Sequence, residues 1–108
     1  MDWRERFDTE LEGAEQARAR GNEGQARVCA RRAAGIAAAE YFRRHGNTTR
    51  SGSAIDALNQ LALEPSLPAE SASILSHLLQ QVDTEFKLPE GVDLISEARL
   101  LRRQLLSD

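Results

Sequence analysis

The chain has one cysteine, three prolines and few aromatic residues among its 108 residues. Each scarcity excludes something. A lone Cys29 rules out an internal disulfide framework and a multi-cysteine zinc site. With aromatics at 5%, only Trp3, Phe7, Tyr41, Phe42 and Phe86 are available as large anchors, so leucine and alanine must supply most of the packing. No run approaches the ~20 apolar residues of a membrane span, and the start, Met1-Asp2-Trp3-Arg4-Glu5, has no apolar signal core. A cytoplasmic protein without membrane contact is therefore expected. There is no excess of positive charge either. The net charge is −3, with +2 in residues 1–50 and −5 in residues 51–108. A dedicated nucleic-acid domain would normally be strongly basic. Any anion recognition must then come from local clusters.

The chain does contain long stretches of helical periodicity. Asp2 with Glu5 resembles a capping box, and Trp3, Phe7, Leu11 and Ala14 form one stripe of a helix over residues 2–20. Gly21-Asn22 breaks it, and Asn22 with Gln25 opens a second helix over residues 22–46. So short a turn predicts an antiparallel hairpin. A polar, glycine-bearing loop follows at residues 46–52. A short helix is expected over residues 53–63, ended by Pro65. Pro68 introduces a fourth over residues 69–86, with Ala72, Leu75, Leu78, Leu79, Val82 and Phe86 inward. Asp93 caps a last helix carrying Leu94, Ala98, Leu101 and Leu105. No strand alternation or fixed-period repeat is visible. The expected fold is all-α: one domain over residues 1–108, an up-and-down bundle of five helices with a four-helix core and a short crossing helix.

The second helix is the most informative. Ala26, Cys29, Ala30, Ala33, Ile36, Ala37 and Tyr41 make one apolar stripe, and Val28, Gly35, Ala39 and Phe42 make another on roughly the opposite side. A surface helix needs one such stripe, so the second implies a second partner. Val28, Gly35 and Phe42 recur every seven residues, the period of a helix–helix seam, and are the candidate homodimer contact. Glu40 falls inside the first stripe. An acid there must be paired, hydrogen-bonded or protonated, and it is a candidate buried polar tie between helices. Arg27, Arg31 and Arg32 share one region of this helix, with Glu23 four residues before Arg27. Arg43, Arg44, His45 and Arg50 form a second basic group at its end, where cations also suit the helix dipole. Arg27, Arg31, Arg43, Arg44 and Arg50 are thus the candidate anion or nucleotide contacts. His77 is expected to be exposed, opposite the stripe of its helix. No constellation of metal ligands, phosphate loop or nucleophile elbow is present, so neither metal nor cofactor is expected.

The segments Ala17-Arg18-Ala19-Arg20-Gly21-Asn22-Glu23-Gly24-Gln25-Ala26-Arg27 and Arg32-Ala33-Ala34-Gly35-Ile36-Ala37-Ala38-Ala39-Glu40-Tyr41-Phe42 carry a pattern that resembles the HEPN (higher eukaryotes and prokaryotes nucleotide-binding) family. Members have a first helix, a tight polar turn, and a long second helix of small residues with an acid in its second half and a glycine at its end. Ala38-Ala39-Glu40 and Gly46 match that layout, and residues 53–61 look like the short helix that usually follows. The resemblance implies a dimer and, in catalytic members, metal-independent ribonuclease activity from an arginine paired with a histidine a few residues downstream. That pair is missing. Arg43 and Arg44 stand too close before His45, Arg50 follows it, and no arginine lies within the ten residues before His77. The expectation is a non-enzymatic interaction module that binds a protein partner or a nucleotide. The alternative is a divergent ribonuclease or toxin–antitoxin component acting on RNA. Family members often occur beside a nucleotidyltransferase, which makes that the expected class of protein partner.

Overall fold

The computed structural model describes residues 2–46, 53–79 and 92–106. They form five helices and no strand: α1 (Trp3–Ala19), α2 (Glu23–Arg44), α3 (Ala54–Ala62), α4 (Ala69–Leu79) and α5 (Leu94–Leu106). Asp2 opens α1 by accepting the Arg4 and Glu5 backbone N–H groups at 2.7 and 3.1 Å. The α1–α2 turn closes with two reversed bonds, Asn22 N–H to the Ala17 carbonyl at 2.8 Å and Gly21 N–H to Arg18 at 2.9 Å. That pairing needs a left-handed residue between them, and Gly21 adopts φ +79° without Cβ strain. Asn22 then caps α2 through the Gln25 N–H at 3.1 Å, and Ser53 and Asp93 do the same for α3 and α5. Residues 80–86 of the expected fourth helix, including Val82 and Phe86, lie outside the described residues.

α2 is the centre of the fold. It packs on α1, α5 and α3, while α4 joins α3 to α5. Apart from Val28, both of its apolar stripes are therefore largely covered within one chain. Ala26, Ala30, Ala33, Ala34, Ala37 and Ala38 are fully buried, and Phe7 of α1 and Leu101 of α5 are buried in the same core. The closest approach is at Gly35, where a Cβ would stand 2.5 Å from the Ala54 Cβ and 2.7 Å from its Cα.

This changes the meaning of the seven-residue seam. Gly35 and Phe42 are buried by the chain itself, and only Val28, 38% exposed, remains at the surface. The second partner of α2 is α3, which leaves no continuous seam there for a second copy. Two helix phases also differ from expectation. In α4, Ala72 is exposed and Ser71 is buried in its place, because the Ser71 hydroxyl donates to the Gln104 Oε1 at 2.6 Å. His77 is held against α5 by the Glu97 carboxylate rather than facing solvent. In α5, Ile95 is buried alongside Leu94, and Leu105 is half-buried.

Candidate functional site

The chemistry of the molecule gathers at one end of the bundle, where α1 begins and α2 and α5 finish. Glu40 is 5% exposed and ionised there. Arg43 binds it with two N–H bonds of 2.8 and 2.6 Å, and Arg44 Nε adds a third at 2.9 Å. The hydrogen bonds from Arg43, opposed by burial and reinforced by Arg44 and both positive charges, hold the carboxyl at a pKa of about 2. The polar tie is thus first a tie within α2, at spacings of three and four. It reaches the next helix through Arg44, whose Nη1 donates to the Leu106 carbonyl of α5 at 3.3 Å.

Arg44 also belongs to a collar that sequence reading did not anticipate. The guanidinium carbons of Arg4, Arg102 and Arg44 lie 4.9, 4.8 and 5.7 Å from the centroid of the half-buried Trp3 ring. Each such contact contributes about 0.5–1 kcal/mol at a partly exposed site. Its larger consequence is geometric. It gathers three guanidiniums around one ring, Arg44 being already bonded to Glu40 and to the Leu106 carbonyl. Arg43, 72% exposed, stands beside the collar and adds a fourth cation. Arg4 sits next to Trp3 in sequence, but nothing local marks Arg102, ninety-nine residues downstream of that ring. Only packing of α5 across α1 brings it there.

The other nominated cations are elsewhere. Arg27 and Arg31 lie at least twelve residues before Arg43 on the same helix, roughly 18 Å away along its axis. Arg31 Nε donates to the Leu78 carbonyl of α4 at 2.8 Å, and burial, with the Arg27 charge, lowers its pKa. Glu23 does not pair with Arg27 by hydrogen bonding. It takes two bonds from Arg18, at 2.9 and 2.7 Å, and Arg18 also reaches Asp93 at 2.9 Å, which ties α1, α2 and the start of α5 together. The Arg27 Nε is buried without a hydrogen-bond partner. Such a donor costs stability while its side-chain stem still packs. Arg27→Met should therefore leave stability unchanged or raise it by up to about 1 kcal/mol in urea denaturation. A clear loss would mean that the charge of Arg27, near Glu23, outweighs its orphaned donor. Arg50 lies outside the described residues.

His45 caps the end of α2. Its Nδ1 is 2.8 Å from the Tyr41 carbonyl, and its ring stacks on that of Tyr41 at 4.2 Å between centroids. The Tyr41 hydroxyl in turn bonds Ser66 at 3.0 Å. Cys29 is buried, with the Gln25 amide 3.5 Å from its sulfur. Among the described residues, no group of His, Cys, Asp or Glu is arranged to hold a metal, and no helix is long and apolar enough to cross a membrane. No family model, curated protein or solved structure matches the chain.

Proposed function

We propose that this chain is a non-enzymatic, HEPN-like interaction module that takes up the phosphate groups of single-stranded RNA at the arginine collar around Trp3. The observation that carries the proposal is the convergence of Arg4, Arg44 and Arg102 on one aromatic ring, with Arg43 alongside. Flexible single strands are bound by such combinations of cations and stacking surfaces, and the sequence need not be basic overall if the cations are gathered locally. The missing arginine–histidine pair supports binding without cleavage. Self-association through Val28, Gly35 and Phe42 is not part of the proposal, because Gly35 and Phe42 are buried within the chain, Gly35 against Ala54 of α3.

The test uses the only tryptophan as its own reporter. Titration of the full chain with a twelve-nucleotide single-stranded RNA at low salt should change the Trp3 emission. If three phosphates are neutralised, log affinity should fall with log salt at a slope of about −2. Arg43→Ala/Arg44→Ala should weaken binding at least tenfold, and the RNA should remain intact. No emission change and no binding at low salt would refute the reading. RNA cut without added metal, and spared by His45→Ala, would replace it with the ribonuclease.

A further inference from the structure

α1 and α5 both lie on α2 but meet each other along a narrow line, and a groove of about 200 Å³ opens between them. Its floor is Phe7 and Leu11, and its rim is Asp8, Arg99, Arg102 and Arg103. Three guanidiniums face Asp8, and Arg99 also holds Glu15, so one positive charge is in excess. Their donors are far from used up. Each guanidinium offers five N–H groups. Arg102 donates one to Asp8 at 3.3 Å, Arg99 donates one to Glu15 at the edge of the groove, and Arg103 is exposed with no partner among the described residues. Arg102 is fixed before any ligand arrives, because its guanidinium carbon sits 4.8 Å from both the Trp3 and the Phe7 ring. A cation held in place loses little freedom on binding.

We infer that this groove binds a phosphate monoester carried on a compact apolar body. The monoester has three acceptor oxygens and a charge of about −1.5 to −2 at neutral pH, and three guanidiniums at one rim offer it one donor group per oxygen. The apolar floor gives the body of the ligand a contact that inorganic phosphate cannot make. The volume lies below the ~300 Å³ at which drug-sized pockets begin, so the body is about one ring in size. A free aryl phosphate and a phosphotyrosine side chain share this chemistry. The site is separate from the RNA-binding reading except for Arg102, which belongs to both.

Calorimetry on the full chain tests it with phenyl phosphate, inorganic phosphate and a phosphotyrosine pentapeptide. Phenyl phosphate should bind at least tenfold tighter than inorganic phosphate. Arg99→Ala/Arg103→Ala, both at the exposed rim, should weaken it at least tenfold without moving the melting temperature. Arg43→Ala/Arg44→Ala should leave it unchanged while weakening RNA binding at least tenfold, so that either proposal can fail alone. A peptide that binds as tightly as phenyl phosphate would make a phosphorylated protein the source, and a peptide that is excluded would make it a free small molecule. Equal affinity for phenyl and inorganic phosphate, indifference to the rim variant, or no binding at millimolar concentration would overturn the inference.

Discussion

Gly35→Ala will destabilise the protein by about 2 kcal/mol, whereas Gly13→Ala will stabilise it by roughly 0.5–1 kcal/mol. In an exposed helix, alanine is the better residue by about 1 kcal/mol, because glycine loses more backbone freedom on folding. That gain is available at Gly13 of α1, where an added Cβ would rest 3.6 Å from the Cys29 sulfur, an ordinary contact. At Gly35 the same methyl would lie 2.5 Å from the Ala54 Cβ and 2.7 Å from its Cα. Ala54 is the first residue of α3, so the obstacle includes main chain that no rotamer change can move. Either α3 lifts away from α2, uncovering its own buried Leu58 and Leu61, or the overlap is borne as strain. Urea denaturation of the two variants decides it. If Gly35→Ala proved as stable as the parent, α2 and α3 would not approach as described.

The helices were legible because each carries its own start and stop. Asp2, Asn22 and Asp93 cap where the pattern placed them, and Gly21 takes the left-handed turn. Burial of α2 on two sides was legible too, since alanine and glycine at helical spacing have no reason to face water on either side. What covers the second side was not. A period of seven describes a seam without saying whether the partner is another chain or a later helix of the same one. α3 holds that place because its Ala54 fits over Gly35. The exposed Ala72 and buried Ser71 show the same limit in another form. Periodicity ranks alanine as core and serine as surface, but a single bond to Gln104, thirty-three residues away, satisfies the hydroxyl and rotates α4 to suit.

The site was legible only in the parts that lie close together in sequence. Glu40 stood out as an acid in an apolar stripe, and Arg43 and Arg44 follow it at the spacings that reach it. Trp3, Arg4 and Arg102 did not stand out. A tryptophan near a helix start and an arginine near another helix end are unremarkable until α1 and α5 are laid side by side. The α1–α5 groove has the same origin. Arg99, Arg102 and Arg103 share a helix face by their spacing, but that face borders Phe7 and Leu11 only in the folded chain.

Glu40→Gln should lower stability at neutral pH by about 2 kcal/mol and abolish most of that difference in acid. The ordinary glutamate value of 4.5 falls to about 2 in the folded protein. A depressed carboxyl contributes its full stabilisation above the unfolded value and loses it as pH falls through the folded one. The difference between parent and variant should therefore be constant above pH 5, shrink between about 4.5 and 2, and be small below that. The shift alone would imply about 3 kcal/mol, but Arg43 is 72% exposed and water screens its share. Asp2, Glu23 and Asp93 are also held below their usual range, so the parent will lose stability in acid through them as well. Only the difference between the two proteins isolates Glu40. The variant also tests the collar, because Arg44 is held between Glu40, the Leu106 carbonyl and Trp3. Without the carboxylate, Arg43 and Arg44 keep their charge but lose their common anchor. RNA affinity should then fall although the local positive charge has risen by one. An increase in affinity would show that charge alone, and not the placement of the guanidiniums, governs binding at this end of the bundle.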